Sequence, residues 1–444
     1  MNRSTLLSLL RLASILGLSS WAVALGLSRS HNTASLPFGL AIVVGVNLVL
    51  LHRARVRNPE LGALLPVAFA YKIAYVGAFV VILLAVYGSG DAILYHTWAA
   101  RYASDFWTFG QLPPLLNNSG TAFIRGVTGY FYLFAGSSLA VGMLAYGMLA
   151  FWGALYYLKA FREFFPNRDF RAMALFFFFY PSVAFWTSSI GKDALIFLFL
   201  GMSIYRLALA FKELSLKNIA LLALPVAGVM IVRPHIALML LVAACCTLLL
   251  SQRIPGSRRF VVRAGAALLF IAGIAILLPL VKQRLFLEDL TLASASEFLE
   301  WQQRVTSRGG SSLEVSDSFT TRVAKAPLMF VRPFPWEAHN LTSALAATEG
   351  VLFLAVLWKR RRFLVANLCS AREHPFVLLT VLLMIEFSVS FSSIGNFGIL
   401  TRQRIMMLPL LFMLLSQPPP TAQPAAATST THPPLAARRR LALR

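Results

Sequence analysis

Charge is what this sequence has least of. Only 13% of its 444 residues are Asp, Glu, Lys or Arg, roughly half the share of an ordinary soluble domain. Acids are scarcest, 17 against 40 Lys and Arg. No Asp or Glu pair has the spacing of a metal site, so neither metal nor cofactor is implied. Three cysteines are present; Cys245 and Cys246 lie in an apolar run and Cys369 beside a basic loop. No pair of them has metal-ligand spacing. A Gly-rich phosphate loop, a Walker motif, a zinc motif and a Gly-x-Ser-x-Gly elbow are all missing. Those absences argue against an ATP-driven pump.

Apolar side chains are plentiful. They make up 58% of the chain, and the mean hydropathy is +0.71. Apolar runs fall at approximately 5–27, 37–51, 62–87, 137–158, 172–188, 193–211, 218–232, 235–250, 264–281, 343–358, 376–393 and 398–415. A run of about 20 residues crosses ~30 Å of hydrocarbon as a helix. Inside lipid the backbone must satisfy its own hydrogen bonds, which favours helices. The strand-length alternation of a membrane barrel is not seen. The expected fold is therefore an all-α polytopic membrane protein with about 12 transmembrane helices, a single domain over 1–416. The stretch around Arg233-Pro234-His235 reads as a break between two short crossings, because Pro and two polar residues at mid-span would be costly. The N-terminus, MNRSTLLSLLR, reads as a start-transfer helix, without a small-residue cleavage site.

The net charge of +23 would suit nucleic acid if it were gathered on one surface. It is instead dealt out in short clusters between apolar runs: Arg53, Arg55 and Arg57; Lys159 to Arg171; Lys212 and Lys217; Arg253 to Arg263; Lys359 to Arg362. Twelve crossings put all of them on one side, as the positive-inside rule requires. Both termini are then expected in the cytoplasm. The tail 417–444, rich in Pro, Ala and Thr and closing on Arg438-Arg439-Arg440, reads as a disordered cytoplasmic segment. Nucleic acid is not an expected partner; membrane lipid is.

The opposite face collects the residues that need explaining. Its two long segments are about 88–136 and 282–342. Short turns add Lys192-Asp193, Arg233-Pro234-His235 and Asn396 to Arg404. Arginine is normally depleted there, yet Arg233, Arg332, Arg402 and Arg404 lie at or just inside that boundary. The planar guanidinium pairs two-pronged with phosphate oxygens, so the set suits a lipid-linked pyrophosphate, with Lys192 beside it. Each Arg taken singly could equally snorkel or pair with an acid.

Acid–base candidates are few. Asp91 follows Gly88-Ser-Gly and opens a stretch, Ile93 to Trp107, with the spacing of an amphipathic surface helix. It could be a general base for a sugar hydroxyl or the cap of that helix. Glu337 and His339 lie in Arg332-Pro-Phe-Pro-Trp336-Glu337-Ala-His339-Asn340, just ahead of an apolar run. Histidine titrates near neutral pH and suits proton transfer; a structural His bonded to a loop carbonyl is the alternative.

His339-Asn340, nine residues and then Gly350 resembles the signature of the O-antigen polymerase/ligase superfamily, with Phe353 standing where ligases carry Gly, Thr or Tyr. The resemblance spans about fifteen residues. It implies a membrane-embedded, glycosyltransferase-C-like bundle with a large outer loop before the tenth span, the position of 282–342. It implies metal-independent, inverting transfer of a glycan from an undecaprenyl-pyrophosphate donor to a glycan or lipid acceptor, in a bacterial inner membrane, for polysaccharide of the cell envelope. His339 then takes the place of the motif His and Arg332 of a nearby donor-binding Arg. The segment from Asp91 to Arg125 resembles instead the first outer loop of glycosyltransferases that use polyprenyl-monophosphate sugars, where an Asp activates the acceptor. A non-enzymatic lipid or glycan transporter is the third reading; transporters usually show internal repeats and mid-membrane polar residues, and no clear repeat is seen.

Overall fold

The computed structural model describes residues 3–115, 120–165, 170–213, 215–252, 256–285, 292–307, 321 and 324–416. The tail from 417 lies outside them, as do Glu288, Asp289 and Glu314 of the large polar segment. Every regular element among the described residues is helical. Five helices are long and apolar enough to cross a membrane, six if one bent pair counts as a single span. This is the all-helical membrane architecture that the apolar runs predict.

Helices α1 (Arg3–Leu27), α2 (Leu36–Arg57) and α3 (Leu64–Ile82, running on as a π-helical turn to Tyr87) come first. Then α4 (Asp91–Phe109) and α5 (Gly120–Ala135) pair with one another. The centre is α6 (Leu139–Phe164), whose most apolar stretch is 78% buried. Against it lies α9 (Lys192–Lys212), reached through two short helices, α7 (Phe170–Phe179) and α8 (Pro181–Trp186). The expected run at 172–188 is thus broken at Tyr180-Pro181, because proline lacks the N–H that would continue the helix. Helices α10 (Leu216–Val232) and α11 (Pro234–Leu250) meet at Arg233, where the sequence places the break.

The remaining elements are α12 (Gly256–Leu285), α13 (Leu292–Thr306), α14 (Leu341–Cys369), α15 (Pro375–Phe391), α16 (Phe397–Arg404) and α17 (Leu408–Leu414). The last two are bent by 57° at their junction. Helix α12 packs chiefly on α11 and leaves most of its surface open, its most apolar stretch being 17% buried.

Lipid tails are as apolar as leucine, so close packing rather than water exclusion holds such helices together. Small residues make it possible. A Cβ on Gly201 of α9 would meet the Gly153 carbonyl oxygen of α6 at 2.6 Å, and one on Gly153 would meet the Phe197 oxygen at 2.9 Å. The two backbones therefore touch. Aromatic side chains fill the space around them: Tyr157 and Phe197 rings lie 5.1 Å apart, and Phe176 reaches Phe412 of α17 at 5.0 Å.

Ion pairs gather at the two ends of the bundle. At one end Arg162 pairs with Glu60 and Lys212 with Glu163, both at 2.6 Å. The same end holds Asn367, whose amide donates to the Leu414 oxygen at 2.8 Å and the Ser416 oxygen at 2.9 Å. The N-termini of α4, α9 and α11 gather at the other.

Candidate functional site

The second end is organised around an acid. Asp193 sits in the first turn of α9 and is 2% exposed. The first turn of a helix stabilises negative charge, but burying a carboxylate also demands a cation. Two arginines supply it. Arg233, at the α10–α11 junction, donates from Nη2 to Asp193 Oδ1 at 2.8 Å. Arg402, from α16, donates from Nε to Oδ2. A second acid closes the group: Asp91 Oδ2 lies 3.7 Å from Arg402 Nη1, with its own side chain 60% exposed. Lys192, one residue before Asp193, feels the charges of Arg233, Asp91 and Arg402. Three cations thus surround one buried and one open carboxylate.

Asp91 does not cap α4. Gly90 occupies the cap position without a side-chain bond, and Asp91 is the first helical residue. Its carboxylate is left to Arg402 and solvent. Helix α4 is seated on the start of α9 by Tyr95, whose ring passes 3.8 Å from where a Cβ on Gly191 would stand.

A second group lies around the segment before α14. Glu337 accepts from Arg332 at both oxygens, 3.1 Å from Nε, and from the Phe334 amide at 2.8 Å. The Arg332 guanidinium also stands 5.4 Å above the Phe397 ring of α16. Arg404 is fully buried. It donates to the Arg332 carbonyl at 2.9 Å and approaches Glu349 at 3.5 Å, while Glu349 accepts from the Ser182 hydroxyl at 2.6 Å and its amide at 3.1 Å. Arg404 therefore ties α16, the 330–332 backbone, α14 and α8 into one unit.

Helix α16 joins the two groups. Arg402 reaches Asp193, Gln403 accepts from Arg233, Arg404 holds the Arg332 carbonyl and Phe397 lies under the Arg332 guanidinium. Its start is fixed by Asn396, whose side chain accepts from the Gly398 amide at 2.8 Å and the Ile399 amide at 3.2 Å. That is the usual work of an Asn cap.

The residues of the His-Asn-x9-Gly segment have local roles as well. Asn340 caps α14, accepting from the Ser343 amide at 2.8 Å. Gly350 lets α14 lie against the loop before it: a Cβ there would meet the Val331 oxygen at 2.3 Å. Phe353 is buried and packs edge-on to Phe412. His339 is exposed, its amide donating to Ser343 Oγ at 3.0 Å.

The structure accordingly brings together Asp91, Lys192, Arg233 and Arg402, and separately Arg332, Glu337 and Arg404. His339 stands at the head of α14. Sequence reasoning passes over Asp193 as a centre, although its position directly after Lys192 at the head of an apolar run is the available signal. It also passes over Lys72. This lysine of α3 is buried, and its ammonium donates to the Ala184 carbonyl and the Thr187 hydroxyl, both at 2.7 Å, and to the Ser188 hydroxyl at 2.9 Å. Lys72 so closes the C-terminal end of α8, a few residues before Asp193. Among the described residues no group of three or more His, Cys, Asp or Glu could hold a metal ion.

No family model, characterised protein or solved structure matches this chain.

Proposed function

We propose that this protein is a membrane glycosyltransferase that moves a glycan from a polyprenyl-pyrophosphate donor to an acceptor hydroxyl. The observation that carries the reading is the convergence of Arg233 and Arg402 on buried Asp193, with Asp91 open beside Arg402. The twelve-crossing topology, with this end facing outward from a bacterial inner membrane and both termini cytoplasmic, belongs to the same proposal. So does the resemblance of His339-Asn340 to Gly350 to O-antigen polymerases and ligases.

The chemistry follows from charge. The acceptor oxygen attacks the anomeric carbon, its proton passes to a base, and the bond from that carbon to the pyrophosphate oxygen breaks with its electron pair. Negative charge grows on the leaving group, and arginines fixed in advance stabilise it without reorganising. Asp193 holds both guanidiniums in place, so it is a positioning residue. Asp91 is the base that the geometry favours. Its carboxylate is exposed, whereas Glu337 is occupied by Arg332 and the Phe334 amide. A second reading gives the proton to His339, which is exposed and carries the motif.

Complementation in a deletion host, scored for surface glycan and for lipid-linked precursors, tests both. Asp91→Asn and Arg402→Ala should each cut transfer by about 100-fold or more, with precursor accumulating and His339→Ala still active. Loss in His339→Ala alone moves the base to His339. Purified protein fed polyprenyl-monophosphate sugar in place of pyrophosphate-linked glycan separates the two donor classes. Full activity in all three variants sinks the enzyme reading and leaves a transporter.

A further inference from the structure

The helix that carries Asp91 also lines a second cavity, and that cavity has a different chemistry. It is an open groove of about 770 Å³ between α4, the turn joining α1 to α2, and the end of α5. None of its lining residues is Asp, Glu, Lys or Arg, in a chain of net charge +23. Apolar side chains such as Phe38, Leu133 and Phe134 make up most of its surface, and the polar groups of Asn32, Thr33 and Ser104 are set among them.

Two histidines and a tyrosine form its floor. His96 Nδ1 shares a hydrogen bond of 2.8 Å with the Tyr132 hydroxyl, and the His31 ring meets the His96 ring edge-on at 5.8 Å. Burial, then the neighbouring His31, pushes His96 down to about 4, so the His96 imidazole is neutral at pH 7. The walls are built before any ligand arrives. The Thr33 amide donates to Ser138 Oγ at 3.2 Å, Asn32 Oδ1 accepts from the Ala140 amide at 3.3 Å, and Gly136 at φ +80° makes the tight turn against Ser35. Trp107, 72% exposed, stands at the mouth.

A preformed groove with polar donors and acceptors and an aromatic plate at its rim matches a neutral polyhydroxylated ligand. It offers no lysine or arginine to a phosphate or a carboxylate. At 100° and 1.5 Å per residue the residues from His96 to Trp107 that line it form one stripe of α4, about 16 Å long, on the face turned away from Asp91. We propose that this groove is a saccharide-binding site, in which successive sugars of a neutral chain lie along α4. Its chemistry as a sugar site is independent of the glycosyl-transfer reading.

The test is binding to the full chain in lipid nanodiscs, read by saturation-transfer NMR with maltotriose and chitotriose as probes. Saturable binding of either, weakened at least tenfold by both Ser104→Trp and Trp107→Ala, is the expected result. Octyl maltoside binding far more tightly than maltotriose would identify a glycolipid headgroup as the natural source, and equal binding a free chain. No saturable binding of any probe, or binding indifferent to both variants, overturns the proposal. Farnesyl pyrophosphate, measured alongside, reports on the arginine cluster. Ser104→Trp should leave its binding unchanged and Arg402→Ala should abolish it, so the two readings fail separately.

Discussion

Two carboxylates in one cluster carry opposite demands. Asp193 is nearly sealed from solvent between two guanidiniums, and Asp91 is open. Removing one partner of a buried ion pair leaves the other charge uncompensated, at about 3–5 kcal/mol, whereas exposed pairs contribute about 1 kcal/mol or less. Asp193→Asn should therefore lower the thermal unfolding temperature of the purified protein markedly, while Asp91→Asn should leave it within a degree or two and still lose transfer. Equal destabilisation by both would show that Asp91 is a structural acid. The sequence exposes this distinction only in part. The arginines are legible because they break the positive-inside pattern. Asp193 is not, because an acid at the head of an apolar run looks the same whether it meets solvent or two arginines from segments 40 and 209 positions away.

At the scale of elements, α14 and α16 are placed by short-range rules that the sequence states openly, Asn340 and Asn396 being caps of the expected type. Their docking is not stated. Gly350 could be read as a motif residue or as a weak point in a helix, and the contact that decides is with the Val331 oxygen. Gly350→Ala would force α14 away from the 331–333 backbone, whose Arg332 carbonyl accepts from Arg404 while Arg404 also approaches Glu349 of α14. Overpacking of this kind costs about 1–3 kcal/mol. Asn340→Ala removes only a cap, at about 1 kcal/mol. Thermal unfolding of the two variants should rank Gly350→Ala as the more damaging; the reverse order would mean that α14 tilts freely. The break at Tyr180-Pro181 teaches a similar lesson. Proline marks the break in the sequence, but the lysine that closes the shortened helix comes from α3, more than a hundred residues earlier.

For the whole molecule, the ion pairs divide between two ends of the bundle. The Arg162–Glu60 and Lys212–Glu163 pairs lie at the end where the basic clusters fall, and the Asp193 cluster lies at the other. Among the described residues five helices, or six if α16 and α17 form one bent span, are long and apolar enough to run between these ends across a membrane. The apolar run lengths could not show which traverses are continuous, since a 10-residue helix covers only about 15 Å. Orientation can be read chemically. In a variant with Cys245, Cys246 and Cys369 replaced by Ser, single cysteines would be placed at Phe109, Trp336, Val56 and Trp358, all well exposed. A membrane-impermeant maleimide added to intact cells should label positions 109 and 336 and reach 56 and 358 only after permeabilisation. The opposite pattern would invert the molecule. The arginine cluster would then face the cytoplasm, where the positive-inside rule alone accounts for its charge.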